Sequence, residues 1–84
     1  MNKRILYFSA PWCGPCKTLS PIINQLQSEG IPIEKIDVDN SSLATQNYSV
    51  RNVPTLILVS AGGAELKRLT GVNSRDTIKR WYNG

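Results

Sequence analysis

Apolar residues occur along the chain in short blocks separated by turn residues, and this pattern predicts seven elements of secondary structure. Residues 4–9 are apolar and aromatic, which is typical of a buried strand. Between residues 19 and 26, aliphatic residues recur at helical spacing and predict a helix from Cys16 onward, which Gly30 ends. Pro21 lies inside this helix and should kink it, because proline removes a hydrogen bond to the preceding turn.

The same pattern predicts five further elements and one tight turn. In chain order they are a strand at 33–38, a short helix from Ser41 or Ser42 to about Tyr48, a strand at 55–59, a hairpin turn at 61–63, a strand at about 64–69, and a helix starting at Asn73 or Ser74. A strand–helix–strand unit pairs its strands in parallel, whereas a hairpin adds antiparallel strands. The order β-α-β-α-β-β-α therefore predicts an α/β fold with a four-stranded mixed sheet flanked by helices.

The length of the chain, 84 residues, suits a single domain at residues 1–84, because two cores would each bury too little apolar surface. Hydrophobic residues make up 40% and charged residues 19%, which favours a globular fold over disorder. No apolar run approaches the roughly 18 residues that cross a bilayer, so no membrane association is expected. The apolar stretch after Lys3 and Arg4 stops at Ser9, short of the roughly 7–15 residues of a secretion-signal core. We therefore expect a cytoplasmic protein.

Positive charge is scattered along the chain rather than clustered. Ten Lys and Arg residues against six Asp and Glu residues give a net charge of +4, without a long basic run. Nucleic-acid binding is therefore not expected, although positive charge favours encounters with acidic partner proteins. Because the chain contains no histidine, His-based catalytic triads and His metal sites are excluded.

The segment at residues 12–17, Trp-Cys-Gly-Pro-Cys-Lys, carries the strongest chemical signal. It lies at the start of the first helix, so its second cysteine falls one turn below the first on the same face. Unpaired backbone N–H groups and the positive end of the helix dipole favour a thiolate at the first cysteine. Cys13 is therefore the expected nucleophile and Cys16 the resolving thiol. Gly14 permits the sharp turn, and Pro15 is tolerated in a first turn.

Three other roles for this cysteine pair stay open on these residues. The pair would be half of a zinc site if carboxylates or a second subunit supplied the remaining ligands. Both cysteines would be inert if they were simply buried in the core. The chain would be a redox-inert binding module if cycling of the pair were vestigial. A disulfide between these two cysteines is not expected to stabilise the fold, because near neighbours in sequence close almost no loop.

The chain resembles the thioredoxin family along nearly its whole length. Trp12 to Lys17 matches the family's active-site string residue for residue, and the Val-Pro-Thr segment at 53–55 resembles its cis-proline loop. Gly71 resembles the family's glycine ahead of the last helix, and Lys35 lies in a strand segment similar to the family's lysine-containing one. The resemblance implies a truncated thioredoxin fold and a thiol–disulfide oxidoreductase that reduces protein disulfides.

Further site roles follow from the resemblance alone. A cis peptide bond would precede Pro54, whose ring would cover the redox-active disulfide between Cys13 and Cys16. The backbone of Val53 would pair with an extended substrate segment. The resemblance also implies contributions to substrate binding or support of the reaction from Trp12, Gly14, Pro15, Lys17 and Gly71.

The implied reaction needs partners but no bound cofactor. Disulfide-containing proteins would be its substrates, and an external enzyme such as thioredoxin reductase would restore the dithiol of a monomeric protein. The chain itself has no Gly-rich dinucleotide motif. The alternative is a glutaredoxin-like dedicated electron donor, for example to ribonucleotide reductase. The segment Gly71-Val72-Asn73 lacks the second glycine that is typical of glutathione-binding members.

Two departures from the family pattern affect the fold and the mechanism. Only three residues precede the first predicted strand, so the family's usual first strand and helix are expected to be absent and residues 33–38 would form a sheet edge. The family's buried aspartate is replaced by Tyr7, and a phenol is a poor base at neutral pH. Proton transfer at Cys16 would then depend on water or on Lys35.

Overall fold

The computed structural model describes residues 2–84, and its elements follow the predicted order β-α-β-α-β-β-α. This order and the mixed four-stranded sheet confirm the predicted α/β class. The elements are β1 (Arg4–Ser9), α1 (Gly14–Ser28), β2 (Ile33–Asp37), α2 (Ser42–Asn47), β3 (Thr55–Val59), β4 (Glu65–Thr70) and α3 (Arg75–Asn83).

The sheet has the strand order β2-β1-β3-β4, which places β1 between its parallel partner β2 and its antiparallel partner β3. Within the described part of the chain β2 is an edge strand, as predicted, and it exposes the charged residues Glu34 and Lys35. Charge on an edge strand discourages pairing with another chain. In the β1–β2 register Tyr7 is opposite Lys35 and Ser9 is opposite Asp37. These four residues therefore lie towards the C-terminal ends of two neighbouring strands.

Buried apolar side chains cover both faces of the sheet. On one face, sheet residues pack against α1 and α3, and this cluster includes Ile5, Tyr7, Leu56, Leu58, Leu19, Ile23, Leu26 and Ile78. The opposite face lies under the segment around α2 and carries Leu6, Phe8, Ile36, Ile57 and Val59. All five residues of β3 are buried, as the unbroken apolar run predicted. Since side chains alternate along a strand, the residues of β1 that point towards α1 include Ile5 and Tyr7.

Element boundaries differ from the predictions by one or two residues. Helix α1 begins at Gly14, which agrees with the place of Pro15 in its first turn but is two residues before the start that apolar periodicity indicated. Strand β4 lies one residue later than predicted, and β2 ends at Asp37. Ser41, one of the two predicted starts of the short helix, occupies the N-cap position of α2, and its side chain makes no capping hydrogen bond.

Candidate active site

Cys13 and Cys16 are joined by a disulfide, with their Cα atoms 5.3 Å apart. Cys13 is the N-cap residue of α1, and its sulfur accepts a hydrogen bond of 3.2 Å from the backbone N–H of Cys16. This N–H is one of the donors that a helix N-terminus leaves without an intrahelical partner. Together with the helix dipole, it favours a thiolate over a thiol at Cys13 when the disulfide is reduced.

The turn between β1 and α1 delivers Cys13 to the helix start. The backbone N–H of Cys13 donates a hydrogen bond of 3.1 Å to the carbonyl of Ala10, and this bond closes the turn. Pro15 lies in the first helical turn. An N–H at that position has no intrahelical partner, so the helix loses no hydrogen bond by having proline there. Ala10 and the two cysteines form a small buried cluster, against which Val53 packs. The disulfide is therefore held between α1 and the loop that leads into β3.

That loop contains a cis peptide bond between Val53 and Pro54. Pro54 is buried, and its carbonyl accepts a hydrogen bond of 3.0 Å from the N–H of Gly71. The φ of Gly71 is +81°, a left-handed conformation that glycine adopts without steric cost. The hydroxyl of Thr55 donates 2.7 Å to the carbonyl of Asn52 on the same loop. The loop at Pro54 and the segment at Gly71 are thus fixed to each other through the backbone.

Large apolar side chains are exposed close to these segments in the sequence. Trp12, which directly precedes Cys13, is 68% exposed, and Val72, which follows Gly71, is 46% exposed. The indole N–H of Trp12 donates a hydrogen bond of 2.9 Å to the carboxylate of Asp39. Exposed apolar surface beside a buried disulfide is suited to contact with another protein chain.

Tyr7 lies directly beneath the first turns of α1. Its side chain is 1% exposed, and its hydroxyl donates a hydrogen bond of 3.2 Å to the carbonyl of Cys16. The same oxygen lies 2.9 Å from the hydroxyl of Ser20. Tyr7 therefore anchors the helical turn of Cys16 to the sheet.

The structure does not support the suggested role of Lys35 in proton transfer at Cys16. The ammonium of Lys35 donates to the side-chain carbonyl of Asn24, which lies two helical turns beyond Cys16 on α1. Lys17, the last residue of the matched string, is exposed on the first turns of α1. The positive charge nearest to Cys16 in sequence is thus that of Lys17.

Sequence analysis missed two polar residues that contact the predicted site. The carboxylate of Asp39 accepts a hydrogen bond from the indole of Trp12, and the hydroxyl of Ser20 is hydrogen-bonded to that of Tyr7. Ser20 follows Cys16 by four residues, a spacing that puts both on one helical face, so its position was available from the sequence. Asp39 lies in the turn after β2 and carried no such spacing signal.

Two kinds of site are not found in the part of the chain that the structure describes. No group of three or more His, Cys, Asp or Glu side chains among residues 2–84 is placed to hold a metal ion. No helix in that range is long and apolar enough to cross a membrane.

Comparison with known proteins identifies the family. A family model of thioredoxin matches residues 1–83. The chain is 40% identical over 76 residues to a thioredoxin of Chlamydia trachomatis serovar D, covering 88% of this chain and 74% of the relative. It is 35% identical over 83 residues to a bifunctional thioredoxin reductase/thioredoxin of Mycobacterium leprae, covering 94% of this chain and 18% of that protein. The solved thioredoxin of Fasciola hepatica has a TM-score of 0.87 and 30% identity, covering 98% of this chain and 79% of that one.

The matched region includes the disulfide at the start of α1, the loop at Pro54 and the segment at Gly71. Proteins of this family normally use no bound cofactor and work with thioredoxin reductase and disulfide-containing substrates. The chain therefore belongs to the thioredoxin family and is a thiol–disulfide oxidoreductase that reduces protein disulfides.

Proposed function

We propose that Cys13 attacks the disulfide of a substrate protein and that Cys16 resolves the mixed disulfide. The observation that carries this assignment is the hydrogen bond of 3.2 Å from the Cys16 N–H to the Cys13 sulfur at the N-terminus of α1. It stabilises negative charge on one sulfur of the pair. The asymmetry supports Cys13 as the first nucleophile, since the thiolate is the attacking species.

The proposed reaction proceeds in two exchanges. The thiolate of Cys13 attacks one sulfur of the substrate disulfide, so a mixed disulfide forms and the other substrate sulfur leaves as a thiolate. Cys16 then loses its proton and attacks the Cys13 sulfur. The bond between Cys13 and the substrate breaks, and the second substrate thiolate leaves. Two electrons have then passed from the cysteine pair to the substrate, and the Cys13–Cys16 disulfide seen in the structure is restored.

We assign substrate binding to the surface formed by Trp12, Val53, Pro54 and Gly71. The exposed indole of Trp12 supplies apolar contact area beside Cys13. Val53 packs against the cysteine cluster and precedes the cis bond, so its backbone is placed close to the disulfide. Pairing of an extended substrate segment with that backbone would recognise main-chain groups, which suits an enzyme with many substrates. Gly14, Pro15 and Lys17 are assigned to shaping the helix start on the other side.

The reduced dithiol is proposed to be restored by thioredoxin reductase, with no cofactor bound to this chain. The relative from Mycobacterium leprae supports this pairing, because its name joins a thioredoxin reductase and a thioredoxin in one protein. We propose that the protein acts as a monomer in the cytoplasm, where thiols are kept reduced.

Covalent trapping tests the roles of the two cysteines. The variant Cys16→Ser should accumulate mixed disulfides with substrate proteins, because Cys13 still attacks and nothing resolves the product. The matched variant Cys13→Ser should accumulate none. Equal accumulation by both variants would overturn the assignment.

The recycling partner is tested by insulin-disulfide reduction with two electron sources. Thioredoxin reductase with NADPH should support multiple turnovers, whereas glutathione with glutathione reductase should not. The reverse result would favour a glutaredoxin-like electron donor. A double Cys→Ser variant that kept full biological activity would favour a redox-inert binding module instead.

A further inference from the structure

An open cleft of about 360 Å³ reaches the resolving cysteine from the side of β2. Its lining includes Ser9 at the end of β1, Asp37 at the end of β2, and Cys16, Lys17 and Ser20 on α1. Among the residues that line this cleft, Asp37 is the carboxylate and Lys17 the ammonium. The cleft is therefore open to solvent and is lined by both the carboxylate of Asp37 and the buried residue Cys16.

The strand register explains why Asp37 faces this cleft. Tyr7 and Lys35 are opposite each other in the β1–β2 pairing, and both bond to α1, through Ser20 and Asn24 respectively. Side chains two residues apart on a strand point to the same face, so the next pair, Ser9 and Asp37, also lies under α1. Asp37 is half-buried there. Asp37 is thus a carboxylate on the same face of the sheet as Tyr7, one strand away.

Resolution of a mixed disulfide requires a proton acceptor at Cys16. A thiol must lose its proton to attack, and Cys16 is only 3% exposed but lines this cleft, so its proton would leave through the cleft. The hydroxyl of Tyr7 donates its hydrogen bond to the Cys16 carbonyl, and a phenol is a poor base at neutral pH. Lys35 is bonded to Asn24, away from the cysteine. Asp37 is the basic group that shares the open cleft with Cys16.

We propose that Asp37 accepts, through water in this cleft, the proton that Cys16 loses when it attacks the mixed disulfide on Cys13. The inference rests on the roles of the two cysteines given under the proposed function. The S–H bond of Cys16 breaks, and its electron pair forms the bond to the Cys13 sulfur. The bond between Cys13 and the substrate breaks, and its electron pair leaves on the substrate sulfur. The proton is held by Asp37 and returns to water.

Two neighbouring groups donate hydrogen bonds to the Asp37 carboxylate and orient it. One oxygen accepts the backbone N–H of Asp39 at 2.9 Å, and the other lies 3.3 Å from the side-chain nitrogen of Asn40. Both donors come from the turn after β2. Lys17 contributes positive charge from α1 across the cleft. An asparagine at position 37 would keep an acceptor for the Asp39 N–H, but it would lose the weaker contact of 3.3 Å to Asn40, the negative charge and the ability to take a proton.

The test uses stopped-flow reaction of the reduced full chain with a symmetrical aromatic disulfide that releases a coloured thiolate. The first released thiolate reports attack by Cys13, and the second reports attack by Cys16. In Asp37→Asn the second phase should be slower by about tenfold or more at neutral pH, as for loss of a general base. The first phase should keep its rate. The matched control is Glu34→Gln, which makes the same change on the same strand at an exposed residue.

The pH profile separates proton transfer from a structural role. In the unaltered protein the second phase should slow in acid, and in Asp37→Asn this dependence on pH should disappear. Asp37→Glu keeps a carboxylate and should keep the dependence. Ser9→Val fills the cleft without changing charge, and it should also slow the second phase, because water no longer bridges Asp37 and Cys16.

Several outcomes would overturn the proposal. A second phase in Asp37→Asn as fast as that of Glu34→Gln would do so, as would equal slowing of both phases, which would indicate a structural role. If Asp37→Asn does not fold, an unchanged second phase in Ser9→Val overturns it. Absence of the first phase in the unaltered protein would instead contradict the role of Cys13 as nucleophile. Failure of the proposal for Asp37 can therefore be distinguished from failure of the proposed function.

Discussion

The indole N–H of Trp12 donates a hydrogen bond of 2.9 Å to the carboxylate of Asp39, although 68% of Trp12 is exposed. This contact ties the residue before the proposed nucleophile to the turn that follows β2. An exposed side chain without a partner samples several rotamers and loses that freedom when a substrate covers it. Asp39 therefore holds the indole of Trp12 in one position before a substrate binds.

The variant Asp39→Ala should bind protein substrates more weakly, because Trp12 is no longer held in place. We expect KM for insulin reduction to rise by up to about fivefold, the effect of losing about 1 kcal/mol from one hydrogen bond. The maximal rate should change less, since the Asp39 carboxylate acts through its hydrogen bond to Trp12. Steady-state kinetics with thioredoxin reductase in excess measures both quantities.

The control for this prediction is the same change in a Trp12→Phe background. Phenylalanine has no N–H to donate, so adding Asp39→Ala should then have little further effect on KM. An equal rise of KM in both backgrounds would mean that Asp39 acts independently of the indole of Trp12.

A second prediction concerns the buried hydroxyl of Tyr7. Tyr7→Phe removes the hydrogen bond to the Cys16 carbonyl and leaves Ser20 without its partner, while the ring keeps its place in the core. We expect the free energy of unfolding to fall by about 1 to 3 kcal/mol, the usual result of leaving a buried polar group unpaired. Urea denaturation of the oxidised protein measures this change.

Ser20→Ala is the matched comparison for Tyr7→Phe. It removes the other partner of the pair but leaves the bond from Tyr7 to the Cys16 carbonyl, so the loss of stability should be smaller. If both variants were as stable as the unaltered protein, the tyrosine hydroxyl would not anchor the turn of Cys16.

The parts of the fold that sequence analysis predicted best are those fixed by burial. Strand β3 was predicted at its observed bounds because all five of its residues are apolar or β-branched and buried. Apolar periodicity placed the start of helix α1 too late, at Cys16, because Gly14 and Pro15 are not part of the apolar pattern, whereas the cysteine motif already placed Pro15 in the first turn. Periodicity detects packed faces, whereas helix starts depend on capping groups and local geometry.

The contacts of the site that could not be predicted from the sequence are those in which a side chain of one element reaches a residue of another element. Lys35 was expected, as an alternative to water, to serve proton transfer at Cys16 because its strand segment resembles the family's lysine-containing one, yet its long side chain reaches Asn24 on α1. Asp39 reaches Trp12 only because of the turn after β2, whose path is set by tertiary packing. The cysteine motif, in contrast, is local, so its place at a helix start could be read from consecutive residues.

The last prediction concerns acid stability and the ion pairs between α1 and α3. The guanidinium of Arg75 donates a bidentate pair of hydrogen bonds, of 2.7 and 2.6 Å, to the two carboxylate oxygens of Glu29. This pair lowers the pKa of Glu29 below its ordinary value of 4.5, and Lys79 lowers that pKa further. Because this pKa is lower in the folded state, the resulting stabilisation is fully present above pH 4.5 and is lost as the pH falls through the folded value. Glu29→Gln should therefore have a lower Tm near neutral pH, and the difference should vanish in acid. The control is Glu34→Gln, which loses only one contact of 3.4 Å to Arg4 and should shift Tm little. A Tm difference for Glu29→Gln that stays constant with pH would rule out this charge effect.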